Sequence, residues 1–246
     1  MSAPAIAHPQ AVVPVGRRGR RDIAAAYAAG AALCAIVVIS IGGWARLLLW
    51  PAVALAAVAW AYFTGWGGIF GKRNGRLPAW SYTVFSPFLL GQRLSWWIQS
   101  RGHTPCSPLL PNLLIGQFPT AQDCAQLKQR GVTATIDLTA EFAESIALRG
   151  EHYRNLPMLD LTLPDLMMLR RAVTMIDEVT HDGGIVYLHC ALGYGRTAVV
   201  AGAYLLSTRR ALTVEQAVDA VRTCRPGSVF STAALDLLQQ FHTALW

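Results

Sequence analysis

The chain has 246 residues, room for one or two domains, and 53% of them are hydrophobic, more than a soluble fold of this size requires. Its formal net charge is +7, yet residues 1 to 100 hold nine of the 21 Lys and Arg and only one acid, Asp22, while the remainder is nearly neutral. The basicity is therefore a topology signal, and it excludes nucleic acid as a partner, which would need a basic face on the folded domain.

Residues 1–21, with Pro4, Pro9, Pro14, Gly16 and the arginines 17, 18, 20 and 21, are expected to form a disordered basic tail. Residues 23 to 45 carry no charge, nor do residues 47 to 71, and only Arg46 stands between the runs. Each run exceeds the roughly 20 residues that a helix needs to cross a bilayer. Residues 22–71 are thus expected to be a transmembrane hairpin closing at Gly42-Gly43-Trp44. A signal peptide competes for the first run, but two consecutive spans with a short turn argue against it. Arginines before the first span, and Lys72, Arg73 and Arg76 after the second, place both ends in the cytoplasm of a cell with this hairpin in its inner membrane.

Residues 72–107 form a connector. Within it, Ser86-Pro87 opens an amphipathic helix carrying Leu89, Leu90, Leu94, Trp97 and Ile98. With Trp80, Tyr82 and Trp96 nearby, it suits a membrane interface and a packed face on the following domain equally well.

The soluble domain is expected over residues 108–246. Asn112 to Gly116 is a first strand, followed by a helix capped at Thr120 and stopped by Gly131. Val132 to Leu138 is a second strand and His152 to Met158 a third. Pro164 opens a helix with Leu166, Leu169, Val173 and Ile176 at helical spacing, which runs to Gly183. The apolar run Gly184 to Leu188 is a buried strand, and Ala198 to Leu206 a buried helix. Two further helices begin at Thr213, boxed by Gln216, and at Ser231. Strands alternating with helices predict an α/β domain whose central sheet is mainly parallel and flanked by helices.

Between that strand and helix lies His189-Cys190-Ala191-Leu192-Gly193-Tyr194-Gly195-Arg196-Thr197. A thiol attacks only as thiolate and needs positive potential beside it. A turn of backbone N–H groups at a helix N-terminus supplies it, so the amides of Ala191, Leu192, Gly193, Tyr194, Gly195 and Arg196 can converge on one anion. Gly193 and Gly195 allow the tight turn, and Arg196 offers two parallel donors to phosphate oxygens. Cys34, Cys106, Cys124 and Cys224 show no CxxC or metal-ligand spacing, and Cys124 and Cys224 suit helix core positions.

The His-Cys-x5-Arg-Thr pattern resembles the signature of the cysteine-dependent protein tyrosine phosphatase superfamily, in particular its compact dual-specificity branch. The resemblance covers roughly residues 110 to 245 and includes Leu114-Ile115-Gly116, the stretch Ile136 to Glu141, and Arg225-Pro226. It implies phosphoryl transfer through a phosphocysteine. Cys190 is then the nucleophile, Arg196 and the loop amides bind phosphate, Thr197 eases departure of the sulfur, and His189 orders the loop. The general acid comes from a separate loop. Asp160 is favoured, because Asp165 follows Pro164 in a first helical turn where the helix dipole already explains an acid; Asp165 is the alternative. Asp137 is expected to be structural.

No cofactor or metal is implied, since thiolate and guanidinium replace a Lewis acid. Three functions follow: a phosphatase of phosphotyrosine, phosphoserine and phosphothreonine on proteins; a phospholipid phosphatase acting on membrane lipid phosphates such as phosphatidylglycerol phosphate; and a phosphate-binding pseudophosphatase. The first leads. Residues 191 to 195 lack Lys and Arg, and Leu192 with Tyr194 would make an apolar rim, while Cys190, Arg196, Thr197 and Asp160 argue against the third.

Overall fold

The computed structural model describes residues 19–150 and 152–245. Most of the expected tail lies outside the described residues, and helix α1 (Arg20–Ile41) already begins within its last two positions. Two left-handed glycines, Gly42 and Gly43, end α1 at the expected turn. A 3-10 stretch (Gly43–Leu48) leads into α2 (Leu49–Thr64). Pro51 sits in the first turn of α2, where its missing N–H removes no intrahelical bond. The two helices are antiparallel neighbours: Gly30 faces Leu55, and the Tyr27 and Tyr62 rings lie 5.3 Å apart.

Helix α1 and the 3-10/α2 stretch Gly43–Thr64, 22 residues each with mean hydropathies of 2.2 and 1.8, are long and apolar enough to cross a membrane. The charge-free run continues to residue 71, but α2 stops earlier, at Gly65 with φ 78°. Beyond it a 3-10 turn (Gly67–Phe70) buries Ile69 and Phe70.

Helix α3 (Ala79–Gln99) begins seven residues before the Ser86-Pro87 start read from the sequence, and Pro87 lies inside it. A proline there cannot donate to the Thr83 carbonyl one turn back. The indole of Trp50 on α2 donates instead, 2.9 Å from Thr83 O and 3.1 Å from Val84 O. One face of α3 packs Phe85, Phe88 and Leu89 with Val58, Tyr62 and Phe70, and further along Trp96 meets Phe118 and Phe142. The helix therefore touches both the hairpin and the soluble domain. Its remaining face leaves Leu90, Leu94, Trp97 and Ile98 exposed, with the Arg101 guanidinium over the Trp97 ring.

The sheet holds β1 (Cys106–Leu110), β2 (Leu113–Gly116), β3 (Val132–Thr139), β4 (Tyr153–Met158) and β5 (Ile185–His189). Their order is β1-β2-β5-β3-β4, with only the β1–β2 pair antiparallel. Strand β1 was not legible, because Pro108 argues against a strand; at the sheet edge proline is tolerated. The strand straddles the boundary drawn before residue 108.

Five helices flank the sheet: α4 (Ala121–Gln129), α5 (Leu166–His181), α6 (Arg196–Ser207), α7 (Val214–Cys224) and α8 (Thr232–Thr243). Caps from Thr120, Thr213 and Ser231 start three of them, as their spacing predicts. Helix α6 is buried on all sides, so its apolar run needs no polar face. Central β5 ends at His189, level with Gly116 on β2 and Asp137 on β3. The loop leaving β5 thus emerges at the carboxyl edge of the parallel strands, where such sheets bind ligands.

The Trp50 bond to the carbonyl freed by Pro87 leads to a measurable coupling. Trp50→Phe is expected to lower stability by about 1 kcal/mol. In a Pro87→Ala background the new N–H satisfies Thr83, and the cost of Trp50→Phe shrinks in a double-mutant cycle of detergent-solubilised protein.

Candidate active site

Cys190 directly follows β5 and is 3% exposed, and α6 starts at Arg196 with Gly195 as its N-cap. The intervening residues curl around the sulfur: the Gly193 N–H donates to Cys190 Sγ at 3.2 Å. Gly193 has φ 76°, and a Cβ there would collide with the Gly116 carbonyl, so this position demands glycine on two counts. The loop is pinned from outside. Phe118 N–H donates to Ala191 O at 2.9 Å, and buried Arg225 donates to Leu192 O at 2.9 Å and Gly193 O at 3.0 Å. Thr197, fully buried one residue into α6, has a hydroxyl with no hydrogen-bond partner among the described residues.

The expected Tyr194 rim is a correction. Its ring is buried under the Arg225 guanidinium, 4.5 Å from the ring centroid, with His103 edge-on at 5.4 Å. Burial raises its hydroxyl pKa against the opposing pull of Arg225. Leu192 and Ala191 instead adjoin an aromatic wall of Trp96, Phe118 and Phe142. Trp96 comes from α3 and Phe118 from the loop after β2, far from the motif in sequence.

Arg196 is 3% exposed and both of its terminal nitrogens are hydrogen-bonded. It bonds Met158 O at 2.7 Å, Glu141 Oε1 at 3.0 Å and Asp160 Oδ1 at 2.8 Å. Burial disfavours the guanidinium charge, but Glu141 and Asp160 outweigh that and hold its pKa well above the ordinary value. Asp160 thus lies on Arg196, with its carboxylate one-third exposed. Asp165 lies elsewhere: it is the N-cap of α5, accepting from Met168 N–H at 2.7 Å. The turn after Asp160 carries Leu161 at φ 59°, an uncommon left-handed conformation for a branched residue, closed by Thr162 Oγ1 donating to Leu159 O at 2.8 Å.

His189 is buried completely behind the loop. Its Nε2 lies 2.8 Å from Glu144 Oε2 and 4.0 Å from Asp137 Oδ1. Asp137 in turn accepts from Thr139 N–H and Tyr153 hydroxyl, both at 2.7 Å, and from the ammonium of Lys72. Burial pushes the Asp137 carboxyl up, but Lys72 and His189 together pull it below the usual range. For His189, burial favours the neutral ring, while Asp137 and Glu144 overcome this and raise its pKa. Asp137, Glu144 and His189 would also suit a cation by proximity. The Lys72 ammonium already supplies positive charge there, bonding Thr139 O at 2.9 Å as well.

Lys72 is a second correction. It was counted among the basic residues flanking a span, but its side chain is 1% exposed inside the soluble domain, while Arg73 and Arg76 remain at the surface. The sequence also left Glu141 without a role, although it ends the stretch beginning at Ile136 that carries the resemblance. Arg225 likewise belonged to the quoted resemblance with no function attached.

A model of the dual specificity phosphatase catalytic domain matches residues 113–243. Dual specificity protein phosphatase 2 of Mus musculus is 29% identical over 118 residues, 48% of this chain and 36% of that protein. The phosphatidylglycerophosphate phosphatase PTPMT2 of Arabidopsis thaliana is 27% identical over 161 residues, covering 63% of this chain and 66% of the relative. The chain spans about a third of the length of the dual-specificity relatives it matches. Among solved structures, PTPMT1 in complex with PI(5)P aligns with TM-score 0.53 and 22% identity over 58% of this chain and 97% of that one. Tk-PTP in its active form gives 0.51 and 24%, over 56% and 96%. Both likenesses are of fold.

Removing the Asp137 charge leaves Lys72 and His189 buried without their shared carboxylate. Asp137→Asn is expected to cost on the order of 3–5 kcal/mol in unfolding free energy. In the parent protein the depressed Asp137 pKa gives stability that is present above about 4 and lost as pH falls through the lower folded value. The raised His189 pKa gives stability that is complete below about 6.5 and lost as pH rises through the higher folded value. Melting curves across pH should show both limbs, with the acid one reduced in Asp137→Asn.

Proposed function

The chain belongs to the dual-specificity phosphatase catalytic-domain family, and we propose that it is a membrane-held phosphatase hydrolysing phosphomonoesters through a phosphocysteine. The observation that carries the reading is the 2.8 Å contact of Asp160 with Arg196, at the start of the helix that follows the Cys190 loop. It supports a site in which a carboxyl group and a phosphate-binding fork act together beside the Cys190 loop.

In the first step the Cys190 thiolate attacks phosphorus, the S–P bond forms and the bond to the leaving oxygen breaks. Equatorial oxygens bind the loop amides and Arg196, whose donor passes from Asp160 to phosphate. Asp160, released from Arg196 as the phosphate oxygens take its place, takes up a proton from solvent and gives it to the leaving oxygen. In the second step Asp160 accepts a proton from water as the oxygen attacks phosphorus, the S–P bond breaks and the thiolate returns. The Thr197 hydroxyl, otherwise unpartnered, stabilises that departing sulfur. His189, held by Glu144 and Asp137, anchors the strand end from which the loop springs. Glu141 keeps Arg196 oriented when Asp160 turns to the leaving group. Asp165 is occupied as a helix cap and takes no part.

Two substrate classes compete, phosphoproteins and membrane lipid phosphates. The exposed Leu90, Leu94, Trp97 and Ile98 row on α3 favours the second. Trp96 on the same helix walls the Cys190 loop, so seating that row among lipid head groups brings the site to the bilayer surface. The similarity to a phosphatidylglycerophosphate phosphatase over about two thirds of both chains points the same way. The two apolar helices before the domain would hold it there, with the catalytic domain in the cytoplasm.

The full chain in detergent is expected to hydrolyse an aryl phosphate without added metal and to be inhibited by vanadate. Cys190→Ser should abolish turnover; activity retained in that variant refutes the mechanism. Asp160→Ala should lower kcat by about 10²–10³ and flatten the alkaline limb of its pH profile, with Asp165→Ala near the parent. Phosphatidylglycerol phosphate in mixed micelles should have a higher kcat/KM than phosphotyrosine or phosphoserine peptides. The reverse order returns the assignment to phosphoproteins.

A further inference from the structure

The acid-bearing turn is not held by the catalytic domain alone. Tyr62, two residues before the end of Gly43–Thr64 and 1% exposed, donates its hydroxyl to the backbone carbonyl of Asp160 at 3.0 Å. Its ring is fixed by Tyr27 of α1 at 5.3 Å and by the buried cluster containing Ile69, Phe70, Phe85 and Phe88. Leu159 and Ala140, neighbours of Asp160 and Glu141, belong to that same cluster. Gly67 presses so closely on the Pro157 carbonyl that a Cβ would not fit. A few residues on, Lys72 bonds Asp137 and both oxygens of Thr139 at the end of β3. The chain from 62 to 72 therefore grips both walls of the Arg196 pocket, the end of β4 with its turn and the end of β3. All of it lies outside the matched catalytic domain.

We propose that Tyr62 is a positioning residue for the general acid, so that the apolar hairpin is a working part of the catalytic site as well as an anchor. The proposal rests on the reading of Asp160 as the acid. The Asp160 turn is a strained one, with Leu161 left-handed beside it, and strained turns persist only where their surroundings over-determine them. Three hydrogen bonds hold this turn by its carbonyls: Thr162 N–H and Oγ1 donate to Leu159 O from within, and the Tyr62 hydroxyl donates to Asp160 O from the hairpin. Without the Tyr62 bond the peptide following Asp160 is free to rotate. The carboxyl group then spends less time aimed at the leaving oxygen, while the Cys190 loop and Arg196 are unchanged. General acid catalysis depends on that aim within a few tenths of an ångström, and it matters most when the leaving group is a poor one.

The test compares kcat and KM of the full-length protein in detergent on p-nitrophenyl phosphate, whose leaving group departs readily, and on phenyl phosphate, whose leaving group needs the proton. Tyr62→Phe keeps the ring and removes only the hydroxyl. It should lower kcat/KM, which reports the step in which the leaving oxygen departs, by about tenfold on phenyl phosphate and by about twofold or less on p-nitrophenyl phosphate. Asp160→Ala should show the same selectivity in larger measure. A uniform loss of kcat/KM on both substrates, or no change in Tyr62→Phe, overturns the proposal. If Asp160→Ala shows the selectivity and Tyr62→Phe does not, only this inference falls. If neither shows it, the acid assignment falls and this inference with it.

Discussion

A permanently charged guanidinium sits buried at the first residue of α6, and the ends of β3 and β4 are arranged around it. Arg196 cannot lose its proton, so its burial is tolerable only with carboxylates and carbonyls around the guanidinium. Glu141 and Asp160 supply the charge, and Leu138 and Met158 supply carbonyls at strand ends. The requirement ties three segments distant in sequence to one point. It also keeps Asp160, the only partly exposed member of the group, close to where phosphate charge would compete for the same donor.

A second buried cation lies behind the first. Lys72 meets Asp137 one strand position from Leu138, whose carbonyl faces Arg196, and Asp137 with Glu144 supports His189. The two groups share β3 as a common wall, carboxylates alternating with cations across it. Removing either cation would leave a buried acid without its main counter-charge, which costs more than the pair contributes when intact. The junction of hairpin and catalytic domain is thus a charged one at its centre and apolar around its edge, where Phe70, Phe85 and Leu159 meet.

Most of this fold was legible because its signals are local. Period-2 and period-3.6 patterns gave the four mutually parallel strands and the helices after β2, and the caps at Thr120, Thr213 and Ser231 set three of their starts. The Cys190 loop was equally plain, since strand, loop and helix are contiguous. What escaped depends on partners far along the chain. Pro87 reads as a helix start until Trp50 supplies the missing donor, and Lys72 reads as a surface charge until β3 brings Asp137 to it. Strand β1 was hidden by a proline that only an edge tolerates, and Tyr194 was read as rim because nothing local announces Arg225 above it. Glutamate 141 is the clearest case: its role is set by a guanidinium more than fifty positions away.

The apolar underside of the catalytic domain has an evolutionary consequence. Ala140 and Leu159 are covered by residues of the hairpin, and Phe142 by Trp96 of α3. A lineage that discarded the hairpin and kept the domain would uncover a greasy patch beside its own active-site entrance, a liability for solubility. Such a loss could succeed only with compensating polar replacements at those positions, so relatives with and without the hairpin should differ there in residue type more than in the Cys190 loop. The covering also works in reverse: apolar helices whose inner ends pack with Leu159 and Ala140 are poorly suited to be exchanged for an unrelated helix pair of the same length.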